Sequence, residues 1–593
     1  MQFYEEKLYV MLLKNILSFL CSVVTISGIC QSFEAVNIPD LTTTPSASRS
    51  VNFVDVNGDG WDDIFITNGP FAGQNNMLYL NNQNNTFTTI AADPIVNDND
   101  RSDGASFADV DNDGDLDAFV VTFGANGVGK KNYFYRNQGN GSFVYEPNSA
   151  MGIPLTYSEM CAWIDLNNDQ NLDLYVTNSV GNLHNLYYEN QGDGSFEGVF
   201  GLTISGESLP SRSIDWIDYD GDGDSDLFVT NEENHANSLF RNDGPNNFTQ
   251  INDLTITLSF NNSVGSSWAD IDNDGDFDLF VANYATNGEA NQLYFNENGI
   301  FSEVTNSPVT TAITSSFGST FGDVDNDGDL DLFVCNAYLG SQDTNFLYLN
   351  DGSGNFSLDT GSALALHQGY TFGAAFGDYD NDGWLDIVLG NTLNENQSNA
   401  LFHNTGTGNN WVKLHCQGTE SNFSAVGAVV KLKAIINGTE VWQTRSIASA
   451  SGYCSQNSYT VHFGLGDATT IEELIVKWPA GTTESFSNIT INEAHLIIEG
   501  QGTLGQPNFN LGHGVVYPNP FTEQISIAFL GSKNESLLFQ VYTMAGKLIF
   551  EETVTDSENH TSPPLSFLTK GTYVYTLSNV EGKIVKTGKI IKQ

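Results

Sequence analysis

A nine-residue acidic stretch recurs seven times in this chain, and its spacing limits the possible folds more than any other feature. It first reads Asp55-Val-Asn-Gly-Asp-Gly-Trp-Asp-Asp63 and returns at 109–117, 165–173, 218–226, 270–278, 323–331 and 378–386. The starts lie 52 to 56 residues apart over 323 residues, which marks one structural unit copied along the chain. Each copy has the same flanks. An aromatic-rich run leads in (Val51-Asn-Phe-Val), a β-branched run follows (Asp63-Ile-Phe-Ile-Thr), and a third run comes next (Leu78-Tyr-Leu-Asn). After an Asn/Gly turn, a fourth short run opens on Phe in six copies, at Phe87, Phe143, Phe196, Phe248, Phe301 and Phe356. Alternating aromatic and β-branched runs bounded by turn residues are strands. Four short strands per copy make a propeller blade. The pattern predicts an all-β chain with a seven-bladed β-propeller over 33–410, in which residues 33–50 offer a strand that closes the ring against the last blade.

Within each copy the side chains at positions 1, 3, 5 and 9 carry oxygen. In chain order they are Asp55, Asn57, Asp59 and Asp63; Asp109, Asp111, Asp113 and Asp117; Asp165, Asn167, Asp169 and Asp173; Asp218, Asp220, Asp222 and Asp226; Asp270, Asp272, Asp274 and Asp278; Asp323, Asp325, Asp327 and Asp331; and Asp378, Asp380, Asp382 and Asp386. Alternate positions on a tight loop turn their oxygens toward one centre, and calcium takes roughly six to eight such ligands. Position 6 is glycine in six copies, which permits the left-handed bend that brings position 9 back. The backbone carbonyl at position 7 adds a ligand. Plain turns capping hairpins in solvent are the alternative. They fail on electrostatics, because six loops hold four or five carboxylates within nine residues. An EF-hand fails as well, since it needs Glu at position 12, where this chain has Ile66, Val120, Val176, Val229, Val281, Val334 and Leu389. The expectation is Ca2+ in up to seven loops. The third is expected to be the weakest, because Gln170 replaces its glycine and Asn167 leaves it only three acids.

These loops and flanks resemble FG-GAP/VCBS repeats, the propeller repeats of integrin α-chains and many bacterial surface proteins. The resemblance implies loops that bind calcium and brace the blades. After Trp411 the pattern changes. Gly427-Ala-Val-Val-Lys, Ser451-Gly-Tyr-Cys-Ser-Gln, His462-Phe-Gly-Leu-Gly-Asp and Val476-Lys-Trp-Pro-Ala-Gly resemble the ASPIC/UnbV module, which follows FG-GAP repeats in proteins similar to the cartilage acidic protein family. That assigns 411–500 to a small β domain with no chemistry attached, in which His462 reads as a packed strand residue. Residues 501–514 read as a linker. From 515 to 593 lysines balance acids, and Tyr517-Pro-Asn-Pro-Phe opens a run with hairpin signals at Met544-Ala-Gly-Lys and Val580-Glu-Gly-Lys. This resembles the type A sorting domain of type IX secretion, which implies a C-terminal β-sandwich, handling by that secretion machinery, and cleavage afterwards.

At the other end, Lys7 and Lys14 precede an apolar stretch too short to span a bilayer, so 1–30 read as a signal peptide cut before Gln31. Bulky Ile29 argues against lipidation of Cys30. No later segment is apolar enough to cross a membrane. Cys161 and Cys335 read as buried thiols. Cys416 and Cys454 share a domain whose oxidising surroundings permit a bridge, and sequence does not decide it.

The chain carries 21 basic against 72 acidic residues, a net charge of −51. Nucleic acid is excluded as a partner, because phosphate binding needs basic patches. The reading is a secreted or cell-surface calcium-binding propeller that acts as an interaction, adhesion or ligand-binding protein toward an extracellular protein or glycan. The alternative is a propeller that binds or cleaves polysaccharide in the manner of a lyase. That would need Arg101, Lys130, Lys131, Arg136, Arg212 and Arg241 to converge on one face. No metal-hydrolase histidine spacing or nucleophile elbow occurs, and no catalytic residue is assigned.

Overall fold

In the computed structural model each of the first six copies of the repeat contributes four antiparallel strands to one sheet, and the seventh contributes three. The structure describes residues 33–504, apart from 70–71, 182, 340–343, 393–395 and 407, together with most strands of 515–592. The expected signal peptide lies outside the described residues. In every copy the acidic stretch joins the first strand to the second. Ser48–Val54 runs into the first loop and Asp63–Asn68 leaves it, and Ser158–Ile164 and Asp173–Asn178 flank the third in the same way. Position 9 is thus the first residue of the second strand. The seven first strands lie side by side in chain order, and Thr371–Gly377 of the last copy packs against Ser48–Val54 of the first. The chain is all-β and propeller-like.

Sheet seven is completed from the other end of the chain. Its repeat has no fourth run, and Phe33–Val36 pairs with Ala400–Asn404 in its place. Phe33 stands opposite Asn404, as Phe87 stands opposite Asn81 and Phe196 opposite Asn190. The start of the chain therefore supplies the residue type that the last copy lacks.

Residues 410–504 form two further four-stranded sheets around their own apolar core, which includes Leu414, Leu432, Phe463 and Trp478. Gly502–Leu504 is an edge strand of this module, so the linker expected from 501 begins later. In the C-terminal region, Ser536–Thr543 pairs with Leu548–Thr555, and Gly571–Ser578 with Ile584–Lys592, across the two expected hairpin turns. They belong to a four-stranded sheet that accompanies a three-stranded one.

The module reaches into the ring of first strands with the loop between Thr439–Ser446 and Val461–Gly466. Ser455–Gln456 pairs in parallel with Val51–Asn52. Ser106 donates to the Ser449 carbonyl at 2.6 Å, and the Trp163 N–H donates to Ser449 Oγ at 2.7 Å. Ser213 donates to the Gly452 carbonyl, and the Phe376 N–H donates to Asn457 Oδ1. Three of the first strands make room for the loop with glycine. A Cβ on Gly265 would sit 3.3 Å from Cβ of Tyr453, one on Gly318 would sit 3.0 Å from the Tyr453 carbonyl, and one on Gly373 would collide with the Cys454 carbonyl. Tyr453 is fully buried at the tip. The loop replaces water as hydrogen-bond partner along the inner strands, where unpaired polar groups would be costly.

This geometry yields a stability prediction. Gly373→Val forces a side chain into backbone on both sides and is expected to cost about 3 kcal/mol or more. Gly206→Ala meets no atom within 4 Å and should stay within about 0.5 kcal/mol. Urea unfolding midpoints of the two variants check this, and a Gly373→Val midpoint equal to wild type would rule out the packed loop.

Candidate functional site

The acidic loops are organised by their own backbone. In the first, the Asp59 and Gly60 N–H groups donate to the Asp55 carboxylate at 3.0 and 2.7 Å. The same pair of bonds fixes Asp109, Asp165, Asp323 and Asp378. Two left-handed residues make the curl. One is at position 6, where Gln170 takes φ +75° in place of glycine, and the other is at position 4, for example Asn112 and Asn326. Asn tolerates this region better than most residues, which explains why position 4 is Asn or Gly throughout. The Asp at position 9 is a strut. Asp63 Oδ1 accepts from the Asn81 N–H at 2.7 Å, and its Oδ2 accepts from the Val56 N–H at 3.1 Å.

Asn81 recurs as Asn137, Asn190, Asn242, Asn296, Asn350 and Asn404, each at or next to the end of its third strand. In all but Asn242, its side-chain amide reaches back into the preceding repeat. Asn137 donates to Val56 O, Asn190 to Val110 O, Asn350 to Ile271 O and Asn404 to Val324 O, all at 2.7–2.8 Å. Asn81 donates to Tyr379 O and so ties the first repeat to the last. Sequence reading assigned these residues no role, although an Asn 16 to 20 residues after position 9 in all seven copies was the available signal.

The loops bring their carboxylates together as the spacing predicts. Ligand-capable oxygens lie within 4.8 Å of one another in Asp109, Asp111 and Asp113; in Asp218, Asp220 and Asp226; in Asp270, Asp272 and Asp274; and in Asp323, Asp325 and Asp331. Asp380 and Asp386 form such a group with His403, which the sequence did not place there. Asp270 is wholly buried, yet its Oδ2 has no hydrogen-bond partner; Asp218 Oδ1 and Asp380 Oδ1 are also unpartnered. A buried carboxylate oxygen without a partner is costly, so these donor sets fit a hard cation that takes oxygen ligands. Burial first, and neighbouring carboxylates after it, push Asp109 and Asp323 up to about 8 and Asp327 up to about 9. Burial carries Asp173, Asp226 and Asp278 to about 8.

Because these folded-state values exceed the ordinary carboxylate value, the metal-free fold binds more protons than the unfolded chain. Its stability is then full below about pH 4 with respect to these groups, and it is lost as pH rises toward 8. Thermal melting in chelator is expected to give a lower midpoint at pH 8 than at pH 5, and a flat profile would contradict the crowding of these acids.

The 410–504 module lies against the loop-bearing end. Lys413 Nζ is 2.6 Å from Asp378 Oδ2, Lys477 Nζ is 3.1 Å from Asp218 Oδ2, and Lys431 Nζ donates to the Gly275 carbonyl. The Gly464 N–H donates to Asp323 Oδ2, and Ser458 Oγ donates to Asp62. His462 is buried on its strand as expected, with Nε2 3.1 Å from the Gly383 carbonyl, and burial lowers it to about 4, so it is neutral. Cover is incomplete: residues 168–170 and 221–224, in the third and fourth loops, remain exposed.

Cys416 and Cys454 are free thiols, so the bridge that their surroundings permit is not formed. Cys454 has been carried into the ring, where its Sγ lies 3.6 Å from Asp103 Oδ1, while Cys416 stays on the strand Asn410–Gln417. The six basic residues considered for a uronate do not converge. Arg136 and Arg241 lie at the loop-bearing ends of their third strands. Arg212 is inside the ring, paired with Glu159 and Glu232, and Lys130 contacts Asp100.

With this geometry in view, comparison with known proteins is informative. The FG-GAP-like repeat family matches residues 55–120, 165–229, 218–281, 272–334 and 336–389. ASPIC and UnbV matches 418–504, and the secretion system C-terminal sorting domain matches 515–593. Cartilage acidic protein 1 of Mus musculus is 26% identical over 502 residues, 78% of this chain and 75% of the relative. The Homo sapiens protein of that name is 26% identical over 505 residues, 78% of this chain and 73% of the relative. Among solved structures, the six-bladed fungal lectin of Aleuria aurantia aligns at 10% identity over 55% of this chain and 98% of its own, with a TM-score of 0.32, too loose a likeness to argue from. The chain is an FG-GAP-repeat protein with an ASPIC and UnbV module and a secretion-system sorting domain, similar over most of its length to cartilage acidic protein 1.

Proposed function

We propose that this chain is a secreted or surface-displayed seven-bladed propeller whose acidic loops hold calcium, and that it works as a binding or adhesion protein toward an extracellular protein or glycan. The observation that carries the reading is Asp270 in the fifth loop, fully buried with an unpartnered carboxylate oxygen beside Asp272 and Asp274. Bound there, calcium would supply the positive charge that the loop lacks and would join positions 1, 3, 5 and 9 into one brace. Counting acids alone ranks the third loop last, with three. The sorting domain fits an extracellular destination and carries the C-terminal sheets, read as a β-sandwich removed after export. Interaction is favoured over catalysis because the basic side chains that a lyase would use are divided between the two ends of the ring and are largely committed to the chain's own acids.

The test is thermal melting of the full chain with calcium and with chelator. Each site held at a hundredfold over its dissociation constant adds about 2.7 kcal/mol, so several filled loops raise the midpoint by many degrees. An unchanged midpoint sinks the calcium reading. A panel of polysaccharides and surface proteins, scored for retention and for product release, checks the rest: retention without products supports a binding protein, and release of unsaturated sugars overturns it.

A further inference from the structure

The third-strand residue just before the recurring Asn lies beside its loop, and its identity changes from copy to copy. It is Leu80 in the first, Arg136 in the second, Glu189 in the third, Arg241 in the fourth, Leu349 in the sixth and His403 in the seventh. A Cβ on Gly141 would meet both Leu80 and Asn57, which places Leu80 beside position 3 of the first loop. Glu189 accepts from Asn167 at 3.3 Å and so adds a carboxylate to the acid-poor third loop. Arg241 pairs instead with Asp243, its Nε 2.8 Å away, and forms no ion pair with the carboxylates of the fourth loop, though Asp220 still feels its charge.

Arg136 does the opposite. Its Nη1 is 2.9 Å from Asp111 Oδ2 and 2.7 Å from Asp117 Oδ2, the side chains at positions 3 and 9. Nη2 donates to the Gly194 carbonyl in the next repeat at 2.5 Å, and the guanidinium lies 4.7 Å over the Phe134 ring. The side chain is only 14% exposed. In the other six loops Oδ2 of position 9 accepts the backbone N–H of position 2, from Val56, Leu166, Tyr219, Ile271, Val324 or Tyr379. In the second loop that oxygen accepts from Arg136. A planar fork bound to two carboxylates and a carbonyl, and packed on an aromatic face, is a built position.

We propose that Arg136 is a built-in cation of the second loop, so that this loop takes no calcium at concentrations that fill the fifth. The proposal rests on the calcium reading and refines it. It also reverses the order given by counting acids, since the second loop has five and the third has three. The reason is geometric. Calcium needs the oxygens of positions 3 and 9 together, and the guanidinium already bridges them from the strand side. In the third loop the same strand position contributes an oxygen instead of consuming two.

The experiment is calcium counting on the full chain by equilibrium dialysis, at the lowest free calcium that gives a wild-type plateau. Arg136→Leu installs the residue type found in the first and sixth copies and is expected to bind one more calcium per chain. Leu80→Arg makes the reciprocal change in the first loop and is expected to bind one fewer. A folded Arg136→Leu chain with the wild-type count overturns the proposal. If that variant does not fold, Leu80→Arg decides alone, with loss of one calcium in support and an unchanged count against. Wild-type protein that binds no calcium fails the underlying reading rather than this refinement.

Discussion

Mutual repulsion among carboxylates is the constraint around which this molecule is arranged. Of its 72 acidic residues, 31 fall in seven short loops, and the ring gathers those loops at one end. Five of the loops answer the repulsion first with their own backbone, aiming two N–H groups at the carboxylate of position 1, and in six loops two more N–H groups meet the strut of position 9. Neutral donors reduce the cost of burying charge but do not cancel it, which is why Asp109 and Asp323 remain raised with those bonds in place. Cations beside the loops offset part of the remainder. The protein supplies some itself: Arg136 in the second loop, Lys477 in the fourth, and Lys413 with His403 in the seventh, where the bond to Asp386 pushes His403 up to about 9.

Several of those cations come from the module at 410–504, and this gives a physical reason for one chain to carry both parts. Apposing them buries lysines against acids, and it also threads a loop through the ring to contact every first strand. Ring and module are therefore not separable in the way two beads on a linker are. The inner strands need small residues where the loop passes, and the loop needs φ +54° at Cys454 to make its turn. Breaking the buried pair of Arg212 and Glu159, which sits beside the Tyr453 hydroxyl, would leave a charge inside the ring without a partner.

How much of this could be read in advance follows from the range of the interactions. Strand order within a repeat, the turn at position 6 and the clustering of positions 1, 3, 5 and 9 are local, and a period repeated seven times makes them legible. The place of Phe33 was within reach, because the seventh repeat lacks a fourth run and the residues before the first repeat were free to supply it. The Asn network was visible as a recurring residue but had no reading, since its partner lies in the preceding copy about 80 positions away. The loop through the ring was not legible at all. Ser449 bonds Trp163 across 286 positions, and no periodicity encodes that pairing. Cys454 shows the consequence: a neighbour of Cys416 by domain is separated from it by the insertion.

The same arrangement limits what a cation in these loops can do for a ligand. Loops one, two, four, five, six and seven contact the module directly, through Asp62, Asn112, Asp218, Gly275, Asp323 and Asp378. A cation held there would strengthen the joint between ring and module. Six of the seven loops keep exposed residues, in the longest runs at 168–170 of the third and 221–224 of the fourth. At the opposite end the situation is reversed. Short two-stranded ribbons link neighbouring repeats there, pairing Lys130–Lys131 with Leu155–Thr156 and His235–Ala236 with Phe260–Asn261. They hold Leu155 and Phe260 more than half exposed, with few acids around them in the pairing segments. One end of the ring is thus committed to charge and to its own module, and the other presents apolar side chains to whatever the chain meets outside the cell.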